Sequence, residues 1–524
     1  MRFNENRQFF LEGTELFSKG DLFYSRRIGG MPIGFFNVYD QLGQGDSIIS
    51  NPDETRLINA SKISGRTGSG LGIGLFNAIT APQHAVVRDS TGTDRQILTD
   101  PLTNYNSVVL DQNLSKNSYV TLINTNVMRA GSFYDANVTG LRFQLRDKKN
   151  LYGVSGGGAY NKLFRQTPLP TDDGFTYDLN FGKVSGNFLF GVATQMYSPD
   201  YDPSDLGFLY NNNEVNYYAY TNFNRYKPFG PFNRAWINAS GGFNKGVDPD
   251  ALYSIYGNIN GGIFDKKFNA YGYNMNTNPF GSFDYFDPRI PGYFVKQPGN
   301  FNVGGWYSSD YRKKVAIDAN YYFTHFDALG REAHSFNFSP RWRVTDRLML
   351  IYGYNAYRQH NQLGFAFLAD PETSVFGHRD LTTHTQSFTA SYIFTNTMGF
   401  TCRARHYWSK ADYNRFEKLL EDGSTEMIDQ TPYFNENGGS TRDVSFNSFT
   451  VDLVYRWVFL PGSEMNVVWK NSLIGFNPVI PNSAAENFTE TFSQPTTNSF
   501  SIKVLYFLDY LVLRLAVTPR KSVN

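Results

Sequence analysis

The residues that could carry chemistry are scattered through this 524-residue sequence and do not form a recognisable catalytic set. Its seven histidines lack the close spacing of a zinc site on a helix, and Cys402 is the only cysteine, which excludes a thiolate cluster. His378 and His384 lie near Arg379 and Asp380, but a solvated loop accounts for this grouping better than a metal or catalytic role. We therefore expect no metal, no cofactor and no enzymatic activity.

Two other patterns resemble ligand-binding sequences only in part. The acidic stretches Tyr197–Asp205 and Asp248–Asp250 offer oxygen ligands for calcium, but their spacing departs from the calcium-binding loop that ends in glutamate. The run Ser155–Gly158 could cradle a phosphate, but it lacks the lysine and the helix that follow such a cradle. Glycines in a strand more often permit curvature or close packing. We interpret both patterns as structural.

The dominant pattern in the sequence is strict alternation of apolar and polar residues. This pattern indicates β-strands, and these are the elements that must position any functional site. In the segment Phe446–Phe459 every second residue from Phe449 onward is apolar or aromatic, including Tyr455 and Trp457, whereas Asp452 and Arg456 belong to the intervening series. A strand sends successive side chains to opposite faces, so this strand has one apolar and one largely polar face. It is also long enough to cross a bilayer, which takes about 9 to 11 residues.

Similar segments recur in pairs, which predicts an all-β fold: a transmembrane, antiparallel, up-and-down β-barrel. We expect about 22 strands, within a range of about 18 to 24. The predicted pairs are Thr55–Arg66 with Gly68–Ala81, Tyr105–Lys116 with Ser118–Arg129, Tyr134–Asp147 with Leu151–Phe164, Phe175–Gly186 with Phe188–Ser198, Glu214–Tyr226 with Arg234–Lys245, Tyr253–Phe264 with Asn269–Asn278, Phe301–Tyr311 with Lys313–Thr324, His334–Thr345 with Arg347–Arg358, Thr383–Phe394 with Gly399–Lys410, Phe446–Phe459 with Met465–Phe476, and Ser499–Leu508 with Tyr510–Val517.

The connections alternate between short turns and long loops, as they do at the periplasmic and extracellular rims of an outer-membrane barrel. The predicted long loops are Pro82–Asn104, Pro279–Asn300, Gln359–Thr382, Ala411–Ser445 and Asn477–Asn498. A soluble β-propeller is the alternative, but the recurring blade signature that it requires is missing.

Composition supports this prediction. Aromatic residues make up 17% of the chain although the mean hydropathy is −0.42, which is expected when one strand face meets lipid and the other water. The net charge of +1 argues against a nucleic-acid partner. The first ten residues lack the features of a secretory signal, so we expect the chain to be a piece of a longer precursor.

We predict two regions, an N-terminal segment at residues 1–50, which forms an early strand or a partial plug, and an outer-membrane β-barrel at residues 51–524. Three groups of candidate residues follow from the pattern. Aromatic residues near strand ends should form the lipid-interface girdle: Trp306, Trp342, Trp408, Tyr455, Trp457, Phe459 and Trp469. Charged residues should line the lumen: Arg26, Arg27, Asp318, Asp452 and Arg456. Aromatic residues of one long loop could bind a ligand by stacking: Phe283, Tyr285, Phe286 and Tyr293.

Several sequence blocks resemble family 5916 among the domains of unknown function, common in Bacteroidota. The blocks are Asn4–Gly13, Leu22–Gly29, Gly70–Ala78, Asp202–Phe208 and Arg456–Trp469. The resemblance implies an outer-membrane barrel, usually preceded by a module similar to the sugar-binding modules of xylanases. That module and a signal peptide are missing from the front of this sequence.

Three functions are compatible with these observations. The first is porin-like passage or uptake of a solute, with a saccharide favoured by the module of the family. The second is a structural or accessory subunit of a larger outer-membrane complex, and the third is a barrel-embedded hydrolase. The expected partners are outer-membrane lipid, other outer-membrane or periplasmic proteins and a saccharide ligand. The expected location is the bacterial outer membrane.

Overall fold

The structure, a computed structural model, describes residues 7–10, 13–436, 438–477, 480–481 and 483–507. The predicted strand Tyr510–Val517 lies outside these residues. The chain divides into two compact units, Met1–Phe223 with Ser240–Ser254, and Asn224–Ala239 with Ile255–Asn524.

The fold is all-β with a large antiparallel sheet, as predicted. The strands in the first part of the chain are β1 (Ser47–Ser50), β2 (Leu57–Arg66), β3 (Leu71–Thr80), β4 (Gln83–Arg88), β5 (Asp94–Asp100), β6 (Thr103–Asn113), β7 (Tyr119–Arg129), β8 (Asp135–Arg146), β9 (Tyr152–Phe164), β10 (Asp173–Lys183), β11 (Phe188–Tyr197) and β12 (Glu214–Arg225). Those that follow are β13 (Phe232–Gly246), β14 (Leu252–Asp265), β15 (Ala270–Asn278), β16 (Ser282–Asp284), β17 (Val295–Gln297), β18 (Asn300–Ser308), β19 (Val315–Phe326), β20 (Glu332–Arg343), β21 (Leu348–Asp370), β22 (Thr373–Thr395), β23 (Met398–Leu419), β24 (Thr425–Met427), β25 (Val444–Leu460), β26 (Ser463–Asn477) and β27 (Thr496–Leu505).

Helical structure among the described residues is short. The helix α1 covers Ala484–Ser493, and single turns of 3-10 helix occur at Gln8–Phe10, Lys19–Asp21, Ser25–Arg27, Phe36–Gln41, Pro170–Asp172 and Thr431–Tyr433. Within the described ranges, no helix is both long and apolar enough to cross a membrane.

In the first unit, nine strands pair antiparallel in the order β2–β3–β6–β7–β8–β9–β10–β11–β12. The predicted long loop after β3 is not irregular, because it contains the hairpin β4–β5, which pairs with β1 in a separate three-stranded sheet. The buried core of this unit lies between its strands and the N-terminal segment, which we define as residues 13–46.

Strand β10 illustrates the two faces of this sheet. Its apolar series, Phe175, Tyr177, Leu179 and Phe181, is between 41 and 48% exposed, although these are large hydrophobic side chains. The intervening Thr176, Asp178 and Asn180 point to the face on which the N-terminal segment lies. We refer to these as the apolar face and the polar face. A soluble protein would bury such a row, so the exposure is informative.

The apolar face of the first unit carries one row of amide side chains. The Asn77 amide donates to Asn104 Oδ1 at 2.6 Å and to Asn106 Oδ1 at 2.8 Å. Further along the row, Asn124 donates to Asn137 Oδ1 at 3.1 Å and to Thr139 Oγ1 at 2.8 Å. Most of these amides therefore satisfy one another, although Asn126 Oδ1 has no hydrogen-bond partner among the described residues.

In the second unit, strands pair antiparallel in the order β14–β15–β18–β19–β20–β21–β22–β23–β25–β26–β27. The register places Tyr455 opposite Phe400 and Val467, and Asp452 opposite Arg403 and Lys470. Paired residues share a face, so the two series of β25 continue as one apolar and one polar face across its neighbours.

Two predicted loops of this unit are wrong because strands continue through them. Strands β21, β22 and β23 have 23, 23 and 22 residues and extend through most of Gln359–Thr382 and the first part of Ala411–Ser445. Bulges cause the discrepancy, because β21 shifts register between Gln359 and Gln362 and again after Phe365. Each bulge moves the following residues to the other face and so breaks the alternation in the sequence.

The predicted loop Asn477–Asn498 is also partly wrong, because it contains α1. Phe488 stacks on His406 with ring centroids 4.4 Å apart, and Phe492 packs against Phe449 at 4.9 Å. The buried Asn487 donates to Asn447 Oδ1 at 2.6 Å. The helix therefore lies on the apolar face of β23 and β25, to which His406 and Phe449 belong.

Candidate functional site

The N-terminal segment covers the polar face of the first unit with apolar side chains. Phe17 and Ile28 are fully buried, and Leu22 is nearly so, in a cluster that includes Phe76 and Ile123 of the wall strands. Complete burial of such a side chain contributes about 1.5 to 3 kcal/mol. Packing of these side chains therefore contributes to holding the segment in place.

A buried carboxylate anchors the same segment. Asp111 of β6 accepts hydrogen bonds from Lys19 of the segment, from Arg66 of β2 and from Thr121 of β7. The Asp111 side chain is 1% exposed. A carboxylate so completely removed from water requires these partners, so the segment and the wall depend on each other here.

The segment is also bound to the loop 198–213 between β11 and β12. The Tyr24 amide donates to the Leu206 carbonyl at 2.6 Å, and the Phe208 amide donates to the Asp21 carbonyl at 2.9 Å. Arg27 Nε donates to the Gly207 carbonyl at 3.1 Å. Two of the blocks that resemble the family, at 22–29 and 202–208, thus contact each other directly.

A cavity of about 500 Å³ lies on the polar face beside this contact. It is lined by the segment, by β10 to β12 and by the loop 198–213. Its polar lining combines tyrosines and carboxylates with Arg142 and several amide and hydroxyl side chains. The tyrosines and carboxylates include Tyr197, Tyr201, Tyr210, Tyr218, Asp21, Asp178 and Glu214. The volume is within the range of about 300 to 1,000 Å³ typical of ligand sites.

The lining of this cavity is ordered by its own contacts. Tyr197 and Tyr201 stack with centroids 6.0 Å apart, and Arg142 forms an ion pair with Asp178. Burial raises the pKa of the Tyr201 phenol, whose hydroxyl is protonated at neutral pH with or without this shift. The cavity thus offers aromatic rings together with hydroxyl donors and carboxylate acceptors.

The predicted lumen residues fall into two places. Arg27 is bound to Gly207, and Arg26 lies half-buried on the same 3-10 turn, both in the first unit. The other three belong to the second unit. There Asp318 accepts from Ser308 Oγ at 2.6 Å, Arg456 pairs with Glu464 at 2.6 Å, and Asp452 lies 4.0 Å from Lys470. None of these five residues lines the 500 Å³ cavity. The sequence singled out the acidic stretch Tyr197–Asp205, which contains the lining residues Tyr197 and Tyr201, but did not identify it as part of a cavity.

The predicted girdle residues divide between the two faces. Tyr455, Trp457 and Phe459 belong to the apolar series of β25, and Trp469 pairs with Leu453 of that series. Trp342 pairs with Val315 and is half exposed. Trp306 differs from the prediction, because its register partner Asn320 and its strand neighbour Asn302 belong to the polar face. The sequence around Trp306 contains two glycines, which obscured the alternation.

Trp408 also differs from the prediction of a lipid-exposed ring. It is 8% exposed, and its indole donates to Ser445 Oγ at 3.1 Å. Its register partner is Asn447, which α1 contacts. The ring is therefore enclosed by the chain, which the sequence could not indicate without the position of α1.

The predicted loop aromatics lie on and around the hairpin β16–β17, and three of the four pack against neighbouring residues of the chain. Phe283 and Tyr285 pack against Phe294 at 5.4 and 5.2 Å between centroids. Tyr293 packs against a buried cluster that contains Val295. Phe286 is 62% exposed, so it presents most of its ring to solvent.

These features define a class of all-β protein whose large antiparallel sheet has an exposed apolar face and a polar face. In the first unit, the chain's own N-terminal segment covers the polar face. Residues 1–517 match the family described as domain of unknown function (DUF5916). The chain belongs to this family, which confirms the resemblance noted in the sequence.

No curated protein matches the sequence. Among solved structures, a copper transporter named OprC is similar over 86% of this chain and 80% of its own, with 10% sequence identity and a TM-score of 0.33.

Proposed function

We propose that this protein is an integral outer-membrane protein of a Gram-negative bacterium. In this proposal its strands close into a barrel of about 22 strands, and a small polar solute passes through the lumen beside the N-terminal segment. The observation that carries the proposal is the separation of the two faces. Large apolar side chains such as Leu179 and Phe181 remain exposed on one face, as lipid contact requires, whereas charged side chains such as Asp178 and Arg142 lie on the polar face.

The amide row on the apolar face is compatible with contact to lipid. An unsatisfied polar group in hydrocarbon costs several kcal/mol, but a group that is hydrogen-bonded within the protein avoids most of that cost. Asn77 and Asn124 each donate two hydrogen bonds to neighbours on the same face. The row therefore does not require a second protein to cover it.

The N-terminal segment supports a restricted path rather than a wide pore. A barrel of this size without internal material would enclose a broad aqueous channel. In the first unit the segment fills part of the polar face, and the 500 Å³ cavity lies next to it. We assign the cavity as the place where the solute contacts the wall.

The lining of the cavity favours a solute rich in hydroxyl groups, of the saccharide class. Aromatic rings such as Tyr197 and Tyr201 pack against the C–H faces of sugar rings. Carboxylates such as Asp178 and Glu214 accept hydrogen bonds from sugar hydroxyls. The sugar-binding-like module that usually precedes the barrel in the family is consistent with this choice.

Proteoliposomes test the proposal. The full chain is reconstituted and the entry of radiolabelled glucose and maltotriose is compared with that of mannitol and with empty liposomes. We expect entry of at least one sugar above the empty-liposome rate, reduced several-fold by Tyr201→Ala. Tyr226→Ala, on an exposed tyrosine outside the cavity, is the matched control and should not reduce it. Entry no faster than in empty liposomes for every solute would contradict the proposal.

A further inference from the structure

A second cavity, of about 290 Å³, lies among the loop ends of the second unit. It is lined by the β17 residues Lys296 and Gln297, by Arg331 before β20, and by Asn361 and His378 of β21 and β22. Its polar lining is therefore rich in hydrogen-bond donors, and no carboxylate is part of it. The cavity in the first unit, by contrast, has the carboxylates Asp21, Asp178 and Glu214 in its lining.

Arg331 is the residue that makes this cavity unusual. It is 9% exposed, and its guanidinium stacks over the Phe326 ring at 4.5 Å. Nη1 donates to Gln297 Oε1 at 2.9 Å, whereas Nε is buried without a hydrogen-bond partner among the described residues. Burial lowers the pKa of this guanidinium, and the neighbouring Tyr357 only partly opposes the shift.

Two carboxylates that contact lining residues of the cavity, Glu417 and Asp422, are engaged with cations. Glu417 pairs with Arg415 at 2.8 Å and lies 3.3 Å from His378 Nε2. Asp422 pairs with Lys296 at 3.4 Å. Arg331 forms no ion pair with any carboxylate of the described chain. A buried cation without a counter-ion is costly, so the position is best explained by an anion from outside.

The backbone around Arg331 is held in place by the first bulge of β21. Asn361 sits in that bulge with a φ of 49°, and its side chain donates to the Leu329 carbonyl at 2.9 Å. The same side chain accepts from His378 Nδ1 at 2.8 Å. The loop that carries Arg331 is therefore tied to β21 and β22 before any ligand binds. Bulges of this kind often re-aim side chains next to functional sites.

We propose that this cavity binds the oxyanion group of a small solute, either a carboxylate or a phosphate. Arg331 would face two oxygens with its planar fork, since guanidinium geometry matches carboxylate and phosphate. Lys296 lines the same space and adds positive charge. The site is separate from the saccharide cavity, and the inference does not rest on solute passage.

Anion binding is tested on the full chain in detergent. Isothermal titration with inorganic phosphate and with acetate, at matched ionic strength in sodium chloride, distinguishes the two sources of the oxyanion. We expect saturable binding of at least one of them and a rise in the thermal midpoint of the wild type on its addition. Arg331→Gln should weaken binding at least 10-fold and abolish the rise. Arg225→Gln is the matched control, because that exposed arginine also stacks on a phenylalanine, at 4.1 Å, but lies outside the cavity.

Two outcomes would overturn the inference. One is that the wild type binds neither anion, and the other is that Arg331→Gln binds as well as Arg225→Gln does. If Arg331→Gln fails to fold, Arg331→Lys keeps the charge but removes the fork, and it should weaken binding several-fold. Unchanged affinity in Arg331→Lys would then contradict the proposed role of the guanidinium.

Discussion

Asp111 is the residue on which attachment of the N-terminal segment depends most. Replacing it with alanine would leave Lys19 and Arg66 close together without their shared acceptor. Since both cations are partly exposed, we expect Asp111→Ala to lower the free energy of unfolding by about 1 to 3 kcal/mol. The segment should also be cleaved faster by trypsin at Lys19. Thermal unfolding and limited proteolysis measure the two effects.

The exposed pair Arg88–Asp94 in the same unit provides the control. Both side chains are nearly half exposed, so Asp94→Ala should change the free energy of unfolding by less than about 0.5 kcal/mol. If Asp94→Ala and Asp111→Ala had equal effects on stability and cleavage, the anchoring role of Asp111 would be wrong.

For single residues, the sequence predicts which face of a strand a side chain occupies much better than it predicts which distant residue that side chain contacts. Alternation was sufficient to separate Asp452 from Tyr455, because neighbouring residues of a strand point in opposite directions. It could not pair Lys19 with Asp111, which lies 92 residues away. It also could not identify Arg331. That residue stands out only because its side chain is buried and forms no ion pair with a carboxylate of the described chain, and neither fact can be read from the sequence.

At the scale of the elements, the N-terminal segment packs closely against β8 because Gly140 has no side chain and leaves room for Leu22. A Cβ added at Gly140 of β8 would lie 2.5 Å from Leu22 Cδ1. Gly140→Val should therefore displace the segment, cost about 1 to 3 kcal/mol and increase sugar entry into proteoliposomes. Gly65→Val is the control, because a Cβ at Gly65 of β2 has open space around it. Equal entry in the two variants would count against the segment as an obstruction.

Helix α1 offers a local test of the packing on the apolar face. Ser483 caps the helix, since its hydroxyl accepts from the Glu486 amide at 3.2 Å. Ser483→Ala should weaken the helix by about 1 kcal/mol, which corresponds to roughly fivefold faster hydrogen exchange in residues 484–493. Ser493→Ala, at the other end of α1, should leave exchange unchanged. Comparable acceleration in both variants would contradict the capping role.

The elements show where sequence patterns succeed and fail. Regular hairpins such as β25–β26 were predicted closely, because nothing interrupts their alternation before the last few residues of β25. The extensions of β21 to β23 were missed because bulges change the face of successive residues. Helix α1 did carry a signal, as Ser483 and Glu486 have the serine-to-glutamate spacing of a capping box, but it lay within an apparent loop.

For the whole molecule, composition and alternation were enough to predict an all-β protein with two-faced strands, and the structure confirms the all-β fold. The position of the N-terminal segment on the polar face of the first unit could not be predicted. Whether the N-terminal segment formed a strand or a plug was left open, because its sequence has no clear period. Its fixed contacts with β6 and with the loop 198–213 depend on residues far apart in the chain.

The central claim is that the apolar face meets lipid and the polar face meets water. Single cysteines at Leu179, Phe181, Thr176 and Asn180, in a Cys402→Ser background, can be spin-labelled in proteoliposomes. Their collision rates with oxygen and with a water-soluble nickel chelate then report the environment of each position. We predict high oxygen and low nickel accessibility at 179 and 181, and the reverse at 176 and 180. Equal nickel accessibility at all four positions would contradict a membrane wall.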